Sequence, residues 1–292
     1  MKTNDRPLTD LMNAVDTGAA QLPDFQRGWV WDDGRIRALI LSVIHNFPVG
    51  AAMFLEYGNE SIHFKHKPIE GSGANPNTEP DELILDGQQR LTSLYNALYS
   101  KNPVHTKTDK GKEIDRYYYL DIEKALDPSA DDEEVVVSIP ASRQVTSDFG
   151  RKIEKDLSTR QDEFRLKMFP LNIILNSSEE QGWQNEYYAY YNYDPAIIRQ
   201  FTDLFSKIIM PTQKYAMPVI LLDKETPKEA VCQVFENVNT GGVSLTVFEL
   251  VTAIFAMDDF PLRKDWEERK EKYFSGDLLN IVTATDFLTA LT

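Results

Sequence analysis

Cysteine is almost missing from this chain. Cys232 stands alone among 292 residues, which excludes a disulfide framework and fits a reducing compartment, so a cytoplasmic protein is expected. Histidine is scarce as well, with four in all and none beyond His105. His63 and His66 lie three apart, but in a strand-like context without nearby cysteines, which does not make a zinc site. No stretch is apolar enough to span a bilayer and no signal peptide opens the chain, so no membrane association is expected. No internal repeat is present. No G-x-x-x-x-G-K-[ST] sequence occurs, which excludes a P-loop enzyme on motif grounds. Positive charge is the minority, with 31 Lys and Arg against 46 Asp and Glu and a net charge of -15. That balance argues against a broad DNA-coating surface and leaves room only for a local basic groove.

What remains is an ordinary globular composition, 42% apolar and 26% charged, long enough for one large domain or two smaller ones. Its organising stretch is Leu83-Ile84-Leu85-Asp86-Gly87-Gln88-Gln89-Arg90-Leu91-Thr92-Ser93-Leu94. Leu83 to Leu85 form an apolar run of strand length, and Leu91, Leu94, Tyr95 and Leu98 recur at helical spacing. A strand running straight into a helix leaves the first helical N–H groups unpaired, with the helix dipole behind them, which suits an anion. Gly87 lets a phosphate approach the backbone, and Arg90 can fork onto phosphate oxygens. Gln88 and Gln89 can hold a water or read a base edge, and Asp86 can hold a metal, a water or a ribose hydroxyl. The same residues also admit a plain reading: Asp-Gly is a common turn, Asp86 a helix cap, Arg90 a solvated first-turn residue.

From the beginning, a short helix is predicted near Leu8 to Val15, then an extended segment Leu22 to Trp31 containing Pro23. Within it Gln26 and Arg27 repeat the amide-plus-guanidinium pairing, while Trp29 and Trp31 read as packing residues. Asp32 or Asp33 caps a helix whose apolar face runs Ile36, Leu39, Ile40, Val43, Ile44 and Phe47, stopped by Pro48 and Gly50. Ala51 to Leu55 is a buried strand, and 65 to 82 a loop between strands. Tyr117 to Ile122 and Val135 to Ile139 read as strands around a solvated acidic loop at 131–134. From about Val145 to Lys207 the chain reads mainly as helices, with a tyrosine group (Tyr187, Tyr188, Tyr190, Tyr191, Tyr193) assigned to packing. Met217 to Leu222 is another buried strand. A helix from Pro227 to Val238 leads into Asn237-Val238-Asn239-Thr240-Gly241-Gly242, where glycines permit a reversal, and Thr246 with Glu249 suggests a capping box for the next helix.

Three motifs in this order, P-x-F-Q-R with a following Trp, D-G-Q-Q-R-L-T-S-L, and F-x-N-x-N-T-G-G, resemble the N-terminal domain of GmrSD-type, modification-dependent restriction endonucleases. The resemblance implies an α/β (α+β) fold of ParB/sulfiredoxin-like type: a small mixed sheet around the strand-DGQQR-helix core, plus a helical portion from the middle and C-terminus. Residues 1–144 would form the nucleotide-binding core, 145–210 a helical insertion, and 211–292 a returning strand followed by helices. It also implies a module that binds and hydrolyses a nucleoside triphosphate, with Mg2+ as counter-ion, in a phage-defence system. The D-G-Q-Q-R match carries catalytic roles to Asp86, Gln88, Gln89 and Arg90 and a phosphate contact to Gly87. The flanking matches carry nucleotide binding to Gln26, Arg27, Asn237, Asn239, Thr240 and Gly242. Members of the family carry a C-terminal HNH nuclease domain, so DNA, modified or plain, is expected to be met through the full-length protein or a partner nuclease. The late part of this chain has no histidine for such a domain, so a truncated chain or a stand-alone module is expected, without nuclease activity of its own. Homo-oligomerisation stays open. The alternative is a ParB-like sensor that binds nucleotide or DNA without turnover. A nuclease centre on Asp86 is disfavoured because the motif holds no second carboxylate.

Overall fold

The computed structural model describes residues 2–58, 62, 64–148, 151–227, 230–231, 247–257, 260–274 and 281–291. Its centre is a mixed sheet of β1 (Lys2–Pro7), β2 (Ala20–Pro23), β3 (Ala52–Glu56), β4 (His66–Lys67), β5 (Glu82–Asp86) and a late strand, Ala216–Leu222. The spatial order is β1, the late strand, β3, β5, β2, β4. β5 runs parallel to β2 and antiparallel to β3. Both faces are covered, which is why Leu83 to Leu85 is a continuous apolar run rather than an alternating one. Ile84, Ala52 and Phe54 join the main core on one face, while Leu83, Leu85, Met53 and Leu55 join a second cluster with Phe25, Phe64 and Val231 on the other.

Helices α1 (Leu8–Thr17), α2 (Asp33–Ile44) and α3 (Gln88–Leu98) share the main core. Asp32 caps α2 by accepting from the Arg35 amide at 2.9 Å. α3 is the central helix: every residue from Leu91 to Leu98 is buried. Helical spacing in the sequence marks only one apolar face, but Thr92, Ser93 and Asn96 are enclosed too. Asn96 Nδ2 reaches the Glu70 and Thr92 carbonyls at 2.8 and 2.9 Å, and the Ser93 hydroxyl donates to the Gln89 carbonyl at 2.7 Å.

A second sheet is built on β7 (Glu113–Asp121), after β6 (Val104–Lys107). β8 (Val136–Pro140) lies along one edge of β7; β6 and β11 (Met168–Pro170) share the other, with the hairpin β9 (Gln144–Ser147) and β10 (Lys152–Asp156) between them in sequence. The late strand of the central sheet is therefore β12. Short helices α4 (Ile122–Leu126), α5 (Asp132–Val135) and α6 (Arg160–Arg165) are followed by α7 (Ser177–Tyr190) and α8 (Pro195–Leu204). A π-helical stretch, Phe205–Ile209, leads on to α9 (Met210–Gln213). Beyond β12 come α10 (Val247–Met257), α11 (Leu262–Tyr273) and α12 (Ala284–Leu291), whose Phe248, Leu262 and Trp266 form a cluster of their own.

The mixed α+β class is the expected one, but several local expectations are corrected. Gln144–Ser147 and Lys152–Asp156 are paired antiparallel strands, not helix, with Thr146 opposite Ile153; Ile153 is 52% exposed, so no buried apolar face announces the pairing. The acidic run is not a loop but the single-turn helix α5, because the Asp131 carboxylate caps it by accepting from the Glu133 amide at 3.1 Å. Phe47 is not on the buried face of α2. Asn46 takes a left-handed φ of 56°, which ends the helix early and leaves Phe47 59% exposed. β1 is an unannounced strand. Its polar sequence fits an edge that pairs only with β12.

The tyrosine group packs in part: Tyr187 is in the core and Tyr188 and Tyr191 lie against it, whereas Tyr190 and Tyr193 are 39% and 62% exposed. Tyr187 stacks on Trp183 at 4.9 Å between ring centres, beside Phe164 and Phe201. One helical turn before Trp183, Glu180 is 3% exposed, and its Oε1 lacks a hydrogen-bond partner among the described residues. Burial raises this carboxyl above the usual glutamate range. The native state therefore holds the proton after the unfolded chain has released it, and stability falls as pH rises from the ordinary glutamate value through the raised one. Glu180→Gln should raise the melting temperature near pH 7 and change it little below about pH 4. Thermal melts at both pH values check this, and an equal effect at both contradicts it.

Candidate functional site

Strand β5 delivers Asp86 to the rim of the sheet, and Gly87 turns the chain into α3. The glycine has a left-handed φ of 90°. A Cβ there would stand 3.2 Å from the Ala52 Cβ of neighbouring β3, so both backbone freedom and bulk require glycine. No side chain caps α3, so its opening N–H groups have no intrahelical partner; Gly87 and Gln88 are themselves buried. Asp86 bonds Arg90 through Oδ2 at 3.1 Å and keeps 38% of its side chain exposed.

Arg90 is engaged elsewhere as well. Its Nη1 donates to the Val49 carbonyl at 2.7 Å and its Nη2 to the Ala51 carbonyl at 2.9 Å, and only 19% of the side chain is exposed. The guanidinium thus clamps the loop that enters β3. Gly50, between the two acceptors, has a φ of 88°, and a Cβ on it would lie 2.6 Å from Arg90 Nη1.

The two glutamines reach the other way, to the loop after β2. β2 ends at Pro23, and from there to Trp31 the backbone lies in turns and irregular conformation. Its polar groups are met by side chains instead of a ladder. Gln88 Nε2 donates to the Arg27 carbonyl at 2.6 Å and Gln89 Nε2 to the Gly28 carbonyl at 3.2 Å, while Gln89 Oε1 accepts from the Val30 amide at 2.9 Å. Lys67 donates to the Gln26 carbonyl at 2.6 Å, Arg263 Nε to the Phe25 carbonyl at 3.1 Å, and Thr106 to the Trp31 carbonyl at 2.7 Å. Glu70 accepts from the Trp29 amide, and the Trp29 indole donates to Ser93, each at 3.0 Å. Gln26 returns the favour to β5. Its Nε2 donates to the Ile84 carbonyl at 2.7 Å and approaches that of Leu85 at 3.2 Å, just beyond the last β2 pairing at Leu83.

The fold therefore joins the P-x-F-Q-R and D-G-Q-Q-R segments into one rigid unit at the head of α3. Arg27 is half-buried at its edge. Burial lowers the Lys67 pKa, opposed by Glu70, furthered by Arg263 and opposed again by Asp24. Asn237, Asn239, Thr240 and Gly242 lie outside the described residues. Residues outside the three motifs that the structure adds to this region are Gly50, Lys67, Glu70 and Arg263. Only Gly50 leaves a sequence signal, as a helix stop; the rest contribute through contacts that cross the fold.

Comparison with known proteins gives the family. The family model for the GmrSD restriction endonuclease N-terminal domain matches residues 8–256. The chain belongs to that family. The match takes in the strand-turn-helix, the loop it holds and the whole central sheet beyond β1. This GmrSD N-terminal domain is also similar to the uncharacterized protein MJ0686 of Methanocaldococcus jannaschii, with 28% identity over 97% of this chain and 48% of that protein. The chain thus spans about half the length of the curated relative it matches.

Gly50→Ala forces a side chain into a left-handed position against the Arg90 clamp, and should destabilise the domain by about 1–3 kcal/mol. Urea unfolding measures this, and an unchanged midpoint would refute the clamp. Gln89→Leu strips partners from the Gly28 carbonyl and the Val30 amide, so hydrogen exchange at Val30 should accelerate while that in the middle of α3 stays slow.

Proposed function

We propose that this GmrSD N-terminal domain binds and hydrolyses a nucleoside triphosphate, and so governs DNA cleavage by a modification-dependent restriction system that defends against phage. The observation that carries the reading is the uncapped start of α3 behind Gly87, next to a loop made rigid by Gln88 and Gln89. Phosphate oxygens would meet the opening amides of α3 and the Arg27 guanidinium. Asp86 is the acidic group in reach for orienting a water, since its Oδ1 has no protein partner among the described residues. Arg90 acts here as a positioning residue: it holds Asp86 and the entry to β3 in place. Phosphoryl transfer asks chiefly for such positioning and for charge stabilisation.

Mg2+ fits as a companion of the phosphates. Among the described residues no group of three or more His, Cys, Asp or Glu could hold a metal ion, so its ligands would come from phosphate oxygens and water. When bound it supplies neutralisation of phosphate charge. The nuclease step, and the contact with modified DNA, belong in this reading to the full-length protein or a partner.

A phosphate-release assay with each of the four triphosphates and Mg2+ tests the proposal. Arg27→Ala should lower turnover by about ten- to a hundredfold, and Asp86→Asn should abolish release while keeping nucleotide binding, both with melting curves close to that of the unsubstituted chain. Wild-type turnover in either variant would refute the assignment. A second reading, a sensor that binds without turnover, is favoured by one feature: the side-chain amides of Gln88 and Gln89 are engaged with backbone groups rather than facing a ligand. Binding without phosphate release in the unsubstituted chain would select it.

A further inference from the structure

On the other side of the Phe25 loop from α3 lies a cavity of about 150 Å³ between that loop and helices α10 and α11. None of Asp86 to Arg90 lines it. Phe25, Ala256, Phe260 and Leu262 make its walls, and Lys65, Arg263 and Lys264 bring cations to it, facing Asp24 and Glu267. A space of this size holds a single planar ring when its walls are apolar.

The cations are arranged unusually. Arg263 and Lys67 donate to consecutive carbonyls, those of Phe25 and Gln26. Two cations on neighbouring acceptors repel one another, and Arg263 contributes to holding the Lys67 pKa down. Arg263 also has a buried Nη2 with no hydrogen-bond partner among the described residues, while its guanidinium sits 5.7 Å above the Phe248 ring. A buried guanidinium nitrogen without an acceptor is costly unless something supplies one. In a chain of net charge -15, this pocket sets one arginine and two lysines against two carboxylates around an open apolar slot. An anion attached to a flat ring satisfies both halves at once.

We propose that this cavity is a second ligand site, separate from the head of α3, that takes one nucleotide unit: the ring against Phe25 and Phe260, the phosphate on Arg263 with Lys65 and Lys264. The unit comes either from a free mononucleotide or from a nucleic-acid strand, since the chemistry is shared. Phe260 is 43% exposed, so its ring can stack on an incoming base without disturbing the core. The site has a structural consequence. Arg263 opens α11 and bonds the loop that Gln88 and Gln89 hold from the opposite side, so an occupant here touches both the C-terminal helices and the P-x-F-Q-R segment.

The test is calorimetric titration of the whole chain with nucleoside monophosphates, a short single-stranded oligonucleotide and inorganic phosphate, each at low and moderate salt. Monophosphate or oligonucleotide should bind, more weakly as salt rises, and inorganic phosphate should bind far less. Phe260→Ala should weaken binding by about tenfold through lost stacking, and Arg263→Lys should weaken it while keeping the charge, because the forked donors are lost. Arg27→Ala, which removes the phosphate contact proposed at the head of α3, should leave it unchanged, which separates this site from the proposed triphosphate site. Tighter binding of the oligonucleotide than of its monophosphates identifies a strand as the source, and equal binding a free nucleotide; both support the site. No binding of either ring-bearing ligand, binding of phosphate as tight as that of monophosphate, or binding lost in Arg27→Ala but intact in Phe260→Ala would each overturn it.

Discussion

An extended segment without a strand partner has to place its N–H and C=O groups somewhere, and this domain is arranged around one such segment. Past Pro23 the chain leaves the sheet. The carbonyls of Phe25, Gln26, Arg27, Gly28 and Trp31 and the amides of Trp29 and Val30 are then met by Arg263, Lys67, Gln88, Gln89, Thr106 and Glu70. The donors come from α3, β4, β6 and α11, so one irregular stretch ties together elements from nearly the whole chain. Each bond adds only about 1 kcal/mol net, but a lost partner strands a backbone group, which makes the set cooperative. The result is a loop whose backbone is held by side chains much as a strand's is held by its ladder.

Arg90 shows the same logic at the other flank. A guanidinium at the start of a helix could equally have faced solvent. Here Gly50 removes the side chain that would collide with it, and the Val49 and Ala51 carbonyls close around Nη1 and Nη2. The helix start is thereby fixed to β3 through Arg90 and to the P-x-F-Q-R loop through the glutamines. What this leaves for chemistry is the uncapped start of α3 and the Asp86 oxygen that has no partner among the described residues. A site that is mostly scaffold and only thinly decorated fits a reaction that depends on holding phosphates still.

The two faces of the central sheet divide the labour. One carries α1, α2 and α3 in a continuous core; the other is closed by Phe25, Phe64 and Val231, with Ala256 of α10 packed against it. The C-terminal helices, with their own Phe248–Trp266 cluster, therefore touch the loop through Arg263 rather than merging with the main core. The Arg263 bond and the packing of Ala256 on the Phe25 cluster are two described contacts between those helices and the loop side of the sheet.

Much of the local architecture could be read from residue order alone. The Leu83–Leu85 run, Gly87 and the spacing of Leu91, Leu94 and Leu98 specify strand, left-handed turn and helix because hydrophobic period and glycine freedom act within a few residues. The Asp32 cap and the β12 run are legible for the same reason. The pairing of Gln144–Ser147 with Lys152–Asp156 is not, because neither strand has a buried apolar face, nor is the end of α2, which a left-handed Asn46 decides. Which atoms Gln88, Gln89 and Arg90 touch is a different matter. Their acceptors lie 61, 61, 41 and 39 residues earlier in the chain, so only the closed fold could decide between a side chain held out for phosphate and one folded back to secure the loops beside it. Sequence determines what a residue is able to bond; the distance between partners is set by packing.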